Sequence, residues 1–157
     1  MNTKVADVMT TDLYSVPPSM ALSDLEWEFS RRRISSAPVV EQSKLLGIIS
    51  RGDIVRRIGF SHAMSEMALD YYRQLEGGRP EDLERLADQT LGSQLRTLHV
   101  RDAMTTHPVT IGPDASVQQA ARLMLDKRVH SLVVVEETTP VGIVSTLDLL
   151  RTLADHG

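Results

Sequence analysis

Two pairs of short apolar runs dominate the pattern of hydrophobic and polar positions along the chain. Ala37–Val40 and Leu46–Ser50 flank one polar turn, and Leu132–Val135 and Val141–Ser145 flank another. The runs are rich in β-branched residues and nearly continuous rather than alternating, as is typical of strands that are covered on both faces. Each pair therefore predicts two neighbouring buried strands.

An amphipathic helix is predicted ahead of the second pair. Ser116 and Gln119 have the spacing of a capping box, in which each side chain bonds the backbone amide of the other residue. The apolar positions that recur at helical spacing after them are Val117, Ala120, Ala121, Met124 and Leu125. The pattern thus predicts a capped helix with one apolar face.

The helix ahead of the first pair has the same apolar face but lacks the cap. Ala21 stands at the capping position and carries no hydrogen-bonding group, so we expect this helix to begin later, at Ser23. Each helix is preceded by a short extended segment, and each pair of strands is followed by a second short helix. The extended segments are Leu13–Val16 and Pro108–Ile111.

These matched elements belong to an internal duplication. A shift of 95 residues lays residues 5–58 over 100–153 without a gap, and 16 of the 54 aligned pairs are identical. Each copy reads β-α-β-β-α, a three-stranded sheet that carries helices, so the predicted fold class is α+β. One copy alone would bury little surface, so we expect the two copies to pack together about a pseudo-twofold axis.

The predicted organisation is a first domain at 1–58, a helical connection at 59–99 and a second domain at 100–157. Gly77-Gly78 ends one predicted helix of the connection, and Pro80 opens the next. The apolar stripe of the first of these helices comprises Met64, Met67, Ala68, Tyr71, Tyr72 and Leu75. The stripe suits packing on its own module, and it equally suits a dimer interface, because methionine and tyrosine adapt well to such surfaces.

Composition narrows the classes of function. Hydrophobic residues make up 41% of the 157-residue chain and charged residues 24%, which are ordinary proportions for a soluble globular protein. The net charge of −4 provides no basic footprint for nucleic acid and does not favour an anionic membrane surface. The chain shows no signal-peptide pattern and no apolar run near the roughly 18 residues that span a bilayer, so we expect a cytoplasmic protein.

The sequence offers no catalytic site. Without cysteine it has no thiolate nucleophile, no disulfide and no cysteine-based metal site. It contains no glycine-rich phosphate loop and no His-Glu-x-x-His motif, and its five histidines are scattered without metal-ligand spacing. We therefore expect a protein that is not an enzyme and requires no cofactor.

The duplicated pattern resembles a tandem pair of cystathionine β-synthase (CBS) domains, the Bateman module. Each copy opens with Val-x-Asp-x-Met-Thr and closes with Gly-Ile-(Ile/Val)-Ser-x-x-Asp, and the resemblance covers residues 5–58 and 100–153. It implies a regulatory sensor that binds adenine nucleotides or adenosyl compounds in clefts between the two domains and pairs into disc-shaped homodimers. The connection at 59–99 is longer than the linker that is usual in the family.

The closing motif places a serine and an aspartate at the start of a helix in both copies, Ser50 with Asp53 and Ser145 with Asp148. The free amides of a helix N-terminus attract phosphate, to which the serine hydroxyl can also donate. The carboxylate can accept hydrogen bonds from both hydroxyls of a ribose. A capping box without any ligand uses the same residues and is the better explanation of a single copy. Two matched copies within the family pattern favour a pair of ligand sites.

The resemblance also implies an apolar slot for the base, formed after the Met-Thr motif and at the start of the second strand. The residues of the two slots are Thr11, Leu13, Ser36, Ala37 and Pro38 in the first copy, and Thr106, Pro108, Ser131 and Leu132 in the second. In the family a cleft often combines the slot of one copy with the serine and aspartate of the other. The groups that this implies are Ser36 and Ala37 with Ser145 and Asp148, and Ser131 and Leu132 with Ser50 and Asp53.

Two basic residues are candidates for contact with phosphate. His130 lies in a stretch, Arg128 to Val135, that resembles a segment of the regulatory gamma subunit of AMP-activated protein kinase. The same residue also fits a partly exposed imidazole at a strand edge. Arg51 lies inside the first Ser-x-x-Asp, where Thr146 is its neutral counterpart. This difference indicates that the two sites are not equivalent.

The expected function is a non-catalytic module that binds AMP, ADP or ATP, with or without Mg²⁺, and acts as a homodimer on an unidentified partner protein. One alternative is a sensor for S-adenosylmethionine or NAD. The other is a structural dimerisation protein with degenerate ligand sites. Serine and aspartate are intact in both copies, which counts against degenerate sites.

Overall fold

The computed structural model describes residues 3–59 and 92–155 and has the predicted α+β fold with two copies of one arrangement. Its helices are α1 (Val5–Val8), α2 (Leu22–Arg32), α3 (51–59), α4 (92–97), α5 (Val100–Ala103), α6 (Val117–Lys127) and α7 (Thr146–Asp155). Its strands are β1 (Ser36–Glu41), β2 (Lys44–Ser50), β3 (Thr105–Thr106), β4 (Thr110–Ile111), β5 (Ser131–Glu136) and β6 (Thr139–Ser145). The helical stripe predicted from Met64 to Leu75 and the helix predicted to open at Pro80 lie outside the described residues.

The four strands predicted from the apolar runs are confirmed, although β2 and β6 have only two buried positions each. β1 is hydrogen-bonded to β2, and β5 pairs antiparallel with β6, with Ser131 opposite Ser145. The order of buried and half-buried positions along β1 recurs in β5, and that along β2 recurs in β6. Gln42 and Ser43 connect β1 to β2 with φ values of 49° and 64°, the left-handed conformation that matches a two-residue turn to the twist of a hairpin.

The two main helices begin in different ways. α6 has the predicted capping box: Ser116 Oγ accepts from the amide of Gln119 at 3.1 Å, and the Gln119 side chain accepts from the amide of Ser116 at 2.9 Å. α2 begins at Leu22, so the predicted start at Ser23 is wrong. The amide of Leu22 donates to the carbonyl of Leu98 at 2.9 Å. This tertiary hydrogen bond satisfies the first helical amide that Ala21 cannot cap.

The extended segments ahead of these helices are shorter than predicted. Within Leu13–Val16 the β-bridge is confined to Val16, which pairs parallel with Val39. Within Pro108–Ile111 only the last two residues form a strand, β4, which pairs parallel with β5. Proline directly follows the first segment and begins the second, and proline has no amide hydrogen with which to extend a ladder.

Each sheet receives an edge from the opening segment of the other copy. β3 pairs antiparallel with β2, with Thr105 opposite Ile48. Thr10, which matches Thr105 in the duplication, exchanges two hydrogen bonds of 2.8 and 3.0 Å with Ile143 of β6. The Met-Thr motif of each copy thus pairs with the Gly-Ile strand of the other copy.

The helices that open the two copies, α1 and α5, also contact the other copy. The amide of Val5 in α1 donates to the carbonyl of Ala115, just before α6, at 2.8 Å. The amide of Val100 in α5 donates to the carbonyl of Met20, just before α2, also at 2.8 Å. Val5 and Val100 are both fully buried. The opening helix of each copy is therefore anchored where the main helix of the other copy begins.

The chain divides into two compact units, and each is assembled from separated stretches. The first unit comprises Met1–Pro17, Ser36–Ile48 and Thr105–Gly157, and the second comprises Pro18–Ser35 and Ile49–Met104. The core of the first unit contains Val5, Ala120, Met124, Leu132, Val134 and Val144. The buried side chains of the second unit include Leu22, Leu25, Phe29, Ile49, Ile54 and Val100.

The two units do not follow the boundaries of the repeats, because α1 of the first copy belongs to the core that contains β5 and β6. The domain boundaries at residues 58 and 99 stay a prediction. None of the helices within residues 3–59 and 92–155 combines the length and the apolar character needed to cross a membrane.

Candidate functional site

Ser50 and Asp53 lie where β2 ends and α3 begins. Asp53 Oδ2 accepts hydrogen bonds from the amide and the hydroxyl of Ser50, both at 2.9 Å. Ser50 Oγ in turn accepts from the amide of Asp53 at 3.2 Å. The Asp53 side chain is only 8% exposed. The pair forms a reciprocal capping box at the start of α3.

Ser145 and Asp148 repeat this arrangement where β6 ends and α7 begins. Asp148 Oδ2 accepts from the amide of Ser145 at 2.8 Å and from its hydroxyl at 2.7 Å, and Ser145 Oγ accepts from the amide of Asp148 at 3.3 Å. The Asp148 side chain is 15% exposed. The two pairs therefore share one geometry, as the duplication predicts.

These hydrogen bonds define what each pair can offer a ligand. A serine hydroxyl carries one hydrogen, and in both pairs that hydrogen is donated to the aspartate. A phosphate oxygen that accepts the same hydrogen has to draw it away from the carboxylate. The carboxylate itself has about four lone-pair positions, so Oδ1 can accept further donors such as ribose hydroxyls.

An arginine three residues after each aspartate faces the second carboxylate oxygen. Arg56 donates to Asp53 Oδ1 at 2.6 Å, whereas the guanidinium of Arg151 lies 3.8 Å from Asp148 Oδ1. The carboxylate of the first copy is thus held more tightly than that of the second. The duplication aligns these arginines, for which the closing motif predicts no role. Their contact with the aspartates could have been predicted from the spacing of three residues, since residues i and i+3 are neighbours on a helix.

The residue after each serine connects the start of the closing helix to the preceding elements. The guanidinium of Arg51 donates to Ser30 Oγ at 3.0 Å and lies 3.7 Å from a carboxylate oxygen of Glu26 on α2. In the second copy the amide and hydroxyl of Thr146 both donate to the carbonyl of His130, at 2.9 and 3.1 Å. Contact of Arg51 with phosphate stays a prediction, and such contact would compete with Ser30 and Glu26.

The predicted base-slot residues differ in their exposure. Ala37, Pro38 and Leu132 are buried, Leu13, Ser36, Pro108 and Ser131 are half-buried, and Thr11 and Thr106 are exposed. The structure places Ser131 beside Ser145 of its own copy, as partners in the β5–β6 ladder. The grouping of each slot with the serine and aspartate of the other copy stays a prediction.

The imidazole of His130 is exposed and lines a groove of about 510 Å³ between α6 and α7. Arg128 and Thr146 line the same groove, and most of the other lining residues are apolar. Contact of His130 with phosphate stays a prediction.

Asp148 lines a cavity of about 460 Å³ in the first unit. The other lining residues are Thr3, Asp7, Val8, Arg151, Thr152 and Asp155. Cavities of roughly 300–1,000 Å³ are typical of small-molecule sites. Asp7 reaches Asp148 only through the contact between α1 and α7, whereas Asp155 lies two turns after Asp148 on α7 itself.

The family model of the CBS domain matches the chain twice, over residues 5–59 and 100–155. The two matches coincide with the two copies found by internal alignment. The uncharacterised protein MJ1426 of Methanocaldococcus jannaschii is 34% identical over 137 residues, which cover 80% of this chain and 76% of that protein. The chain spans only 40% of the length of MJ1232 from the same organism, with which it shares 25% identity.

Solved structures of CBS-pair proteins have the same fold. CBSX2, determined in complex with AMP, superposes with a TM-score of 0.69 at 22% identity, covering 98% of this chain and 97% of that chain. The CBS domain pair of MJ0100 was determined with 5′-methylthioadenosine and S-adenosyl-L-methionine. It superposes with a TM-score of 0.70 at 18% identity, and both chains are covered completely. At these identities the likeness establishes the fold.

Proposed function

The chain belongs to the CBS-domain family, and from that premise we propose that it is a non-catalytic regulatory module for an adenosine-containing ligand. Ser50 with Asp53 and Ser145 with Asp148 are the proposed contacts to the ribose and phosphate of that ligand. AMP, ADP or ATP, with or without Mg²⁺, are the first candidates, and S-adenosylmethionine and NAD are the others. The observation that carries the proposal is the duplicated serine–aspartate geometry at two helix starts.

The capping boxes prepare the carboxylates for a ribose. Serine holds Oδ2 of each aspartate, so the orientation of the carboxylate is fixed before a ligand binds. Ribose presents two adjacent hydroxyls: Asp148 Oδ1 can accept from both, whereas Asp53 Oδ1 already accepts from Arg56 and has to release it to do so. A preorganised acceptor loses little side-chain entropy on binding. Capping and ligand binding are therefore compatible roles for the same two residues.

The two ligand-bound structures of the same fold support this choice of ligand. AMP in one of them, and 5′-methylthioadenosine and S-adenosylmethionine in the other, share the adenosine unit. A purine needs an apolar slot with a few polar groups at its edge. Ala37 and Leu132 of the predicted slots are fully buried, so the half-buried Ser36 and Ser131 beside them are the slot residues that a base can reach in this structure.

The proposal includes a homodimer that acts on a separate partner protein. Leu125, Leu150 and Leu153 line the groove between α6 and α7, and they are 78%, 55% and 72% exposed. Several large apolar side chains exposed together mark an interaction surface. A twofold pairing of this face would bury the same leucines of both copies.

A thermal-shift panel tests the proposal. It compares AMP, ADP, ATP, S-adenosylmethionine and NAD, each with and without Mg²⁺, and uses GMP as the control for the base. Ligand at 100 times its Kd should stabilise the fold by about 2.7 kcal/mol, which is a measurable rise in Tm. We expect at least one adenosine-containing ligand to raise Tm and GMP to raise it less.

The structural alternative predicts a different outcome. If the two pairs are helix caps alone, none of the ligands raises Tm, although the Asp53→Asn and Asp148→Asn variants still lower it. That result would contradict the sensor proposal and favour a structural dimerisation protein with degenerate sites.

A further inference from the structure

The cavity that contains Asp148 is acidic. Of the described residues, the carboxylates of Asp7, Asp148 and Asp155 line it together with the guanidinium of Arg151, which gives these residues a formal charge of −2. Lys4 does not neutralise this charge, because its ammonium is paired with Asp114 at 2.8 Å. That hydrogen bond raises the pKa of Lys4 and keeps the pair neutral as a whole.

The side chain of Asp155 forms no hydrogen bond or ion pair within residues 3–59 and 92–155. It is exposed in the last turn of α7, where the helix dipole is negative, and that turn has no basic residue. A carboxylate at this end of a helix is unfavourable, whereas one in the first turn, such as Asp148, is favourable. Asp155 therefore adds negative charge to the cavity at some cost to the helix.

The matching positions of the first copy carry a different charge. A shift of 95 residues places Asp102 at the position of Asp7, Asp53 at that of Asp148 and Arg56 at that of Arg151. The two remaining positions differ in charge, because Arg57 replaces Thr152 and Phe60 replaces Asp155. Two carboxylates and two guanidiniums leave this set neutral in formal charge. By sequence alone, these positions of the first copy are two formal charges more positive than the lining of the Asp148 cavity, and Phe60 lies outside the described residues.

We propose, on the basis of the function proposed above, that the two sites select adenosine-containing ligands of different charge. The Asp148 cavity takes a ligand that is neutral or cationic beyond the ribose, such as a thioether or a sulfonium compound. The site at Asp53 takes a ligand that carries phosphate. Asp155 determines the specificity of the Asp148 cavity through its charge.

The physical basis is the Coulomb energy between the charge of the ligand and the carboxylates of the lining, which salt screens because Asp155 is exposed. A phosphate that enters the Asp148 cavity meets a net negative lining and is repelled, whereas a sulfonium centre is attracted to it. The matching positions of the first copy include Arg57 and sum to a neutral formal charge, so we expect a smaller penalty for phosphate there. Adenosine carries no charge and is indifferent to the lining.

The test uses calorimetric titration of the full chain with AMP, S-adenosylmethionine and adenosine. The variants are Asp155→Asn and Asp155→Lys, which change the cavity charge in two steps at an exposed position. The matched controls are Asp126→Asn and Asp126→Lys, because Asp126 is an exposed residue of α6 that does not line the cavity. The control variants alter the net charge of the protein by the same amounts.

Asp155→Asn should raise the affinity of the second site for AMP about three- to tenfold and lower that for S-adenosylmethionine by a similar factor. Asp155→Lys should change both affinities further in the same directions, and high salt should reduce both changes. The affinity for adenosine should stay within about twofold of the wild-type value in every variant. Equal affinities in the Asp155 and Asp126 variants would overturn the inference. If none of the three ligands binds the wild-type chain, the proposed function fails instead.

Discussion

The carboxylate of Asp148 accepts hydrogen bonds from the amide and the hydroxyl of Ser145, at 2.8 and 2.7 Å. The carboxylate of Asp53 accepts the same two hydrogen bonds from Ser50. Each serine hydrogen is therefore committed to stabilising its aspartate. In the proposed function the aspartate is the direct ribose contact, and the serine acts first by orienting it. Changes of the serine should therefore affect folding and binding together.

Ser145→Ala removes the hydroxyl from the capping box of α7. The loss of a serine N-cap costs about 0.5–2 kcal/mol, so we expect the free energy of unfolding to fall by that amount. Urea denaturation measures the change, and Ser145→Thr, which keeps a hydroxyl, is the control. An unchanged midpoint in Ser145→Ala would show that the hydroxyl does not cap α7.

The arginines that follow the two aspartates should contribute unequally to stability. Arg56 donates to the buried Asp53 at 2.6 Å, and Arg56→Met should lower the free energy of unfolding by about 1–3 kcal/mol. Arg151 lies 3.8 Å from Asp148, and Arg151→Met should cost less than about 1 kcal/mol, as exposed ion pairs do. Chemical denaturation of the two variants side by side gives the comparison. Equal losses would contradict the difference between the copies.

Gly142 allows the opening segment of the first copy to approach β6. A Cβ atom at this position would lie 2.5 Å from Met9 Sδ and 3.1 Å from the carbonyl oxygen of Thr10. Gly142→Ala should therefore displace this segment and lower the free energy of unfolding by about 1–3 kcal/mol. Gly112→Ala is the control, because a Cβ at Gly112 meets no atom within 4 Å. Similar melting temperatures for the two variants would show that Met9 and Thr10 do not lie close to Gly142 in solution.

The leucines on α7 provide a test of the homodimer. Leu150→Glu and Leu153→Glu place charge on a face that the proposed dimer buries, so both variants should be monomeric at concentrations where the wild type is a dimer. Light scattering coupled to size exclusion measures the mass. Because both leucines are exposed, the substitutions should leave Tm of the monomer nearly unchanged. If both variants keep the mass of the wild-type dimer, the dimer contact does not involve this face.

Much of the local structure could be predicted from the sequence. β-Branched runs define the four long strands, and the capping box of α6 stands in the sequence as Ser116 and Gln119. The start of α2 could not be predicted, because Leu22 depends on a hydrogen bond to Leu98, which lies 76 residues away. Local propensity contains no information about such a partner.

The pairing of each Met-Thr motif with the Gly-Ile strand of the other copy could not be predicted from the sequence either. Thr10 pairs with Ile143 rather than Ile48, and both of these isoleucines follow a glycine in identical patterns. Because the two copies offer the same local pattern, only the tertiary structure distinguishes pairing within a copy from pairing between copies. The serine–aspartate pairs could be predicted since their spacing is local. Asp7 became a candidate only through the contact of α1 with α7.

The number of adenosine molecules bound per chain tests the central proposal most directly. Adenosine carries the ribose without phosphate, so calorimetric titration isolates the role proposed for Asp53 and Asp148. We predict two sites in the wild type, one in each of Asp53→Asn and Asp148→Asn, and none in the double variant, with Asp126→Asn as the control. Adenosine binding that persists unchanged in the folded double variant would contradict the account.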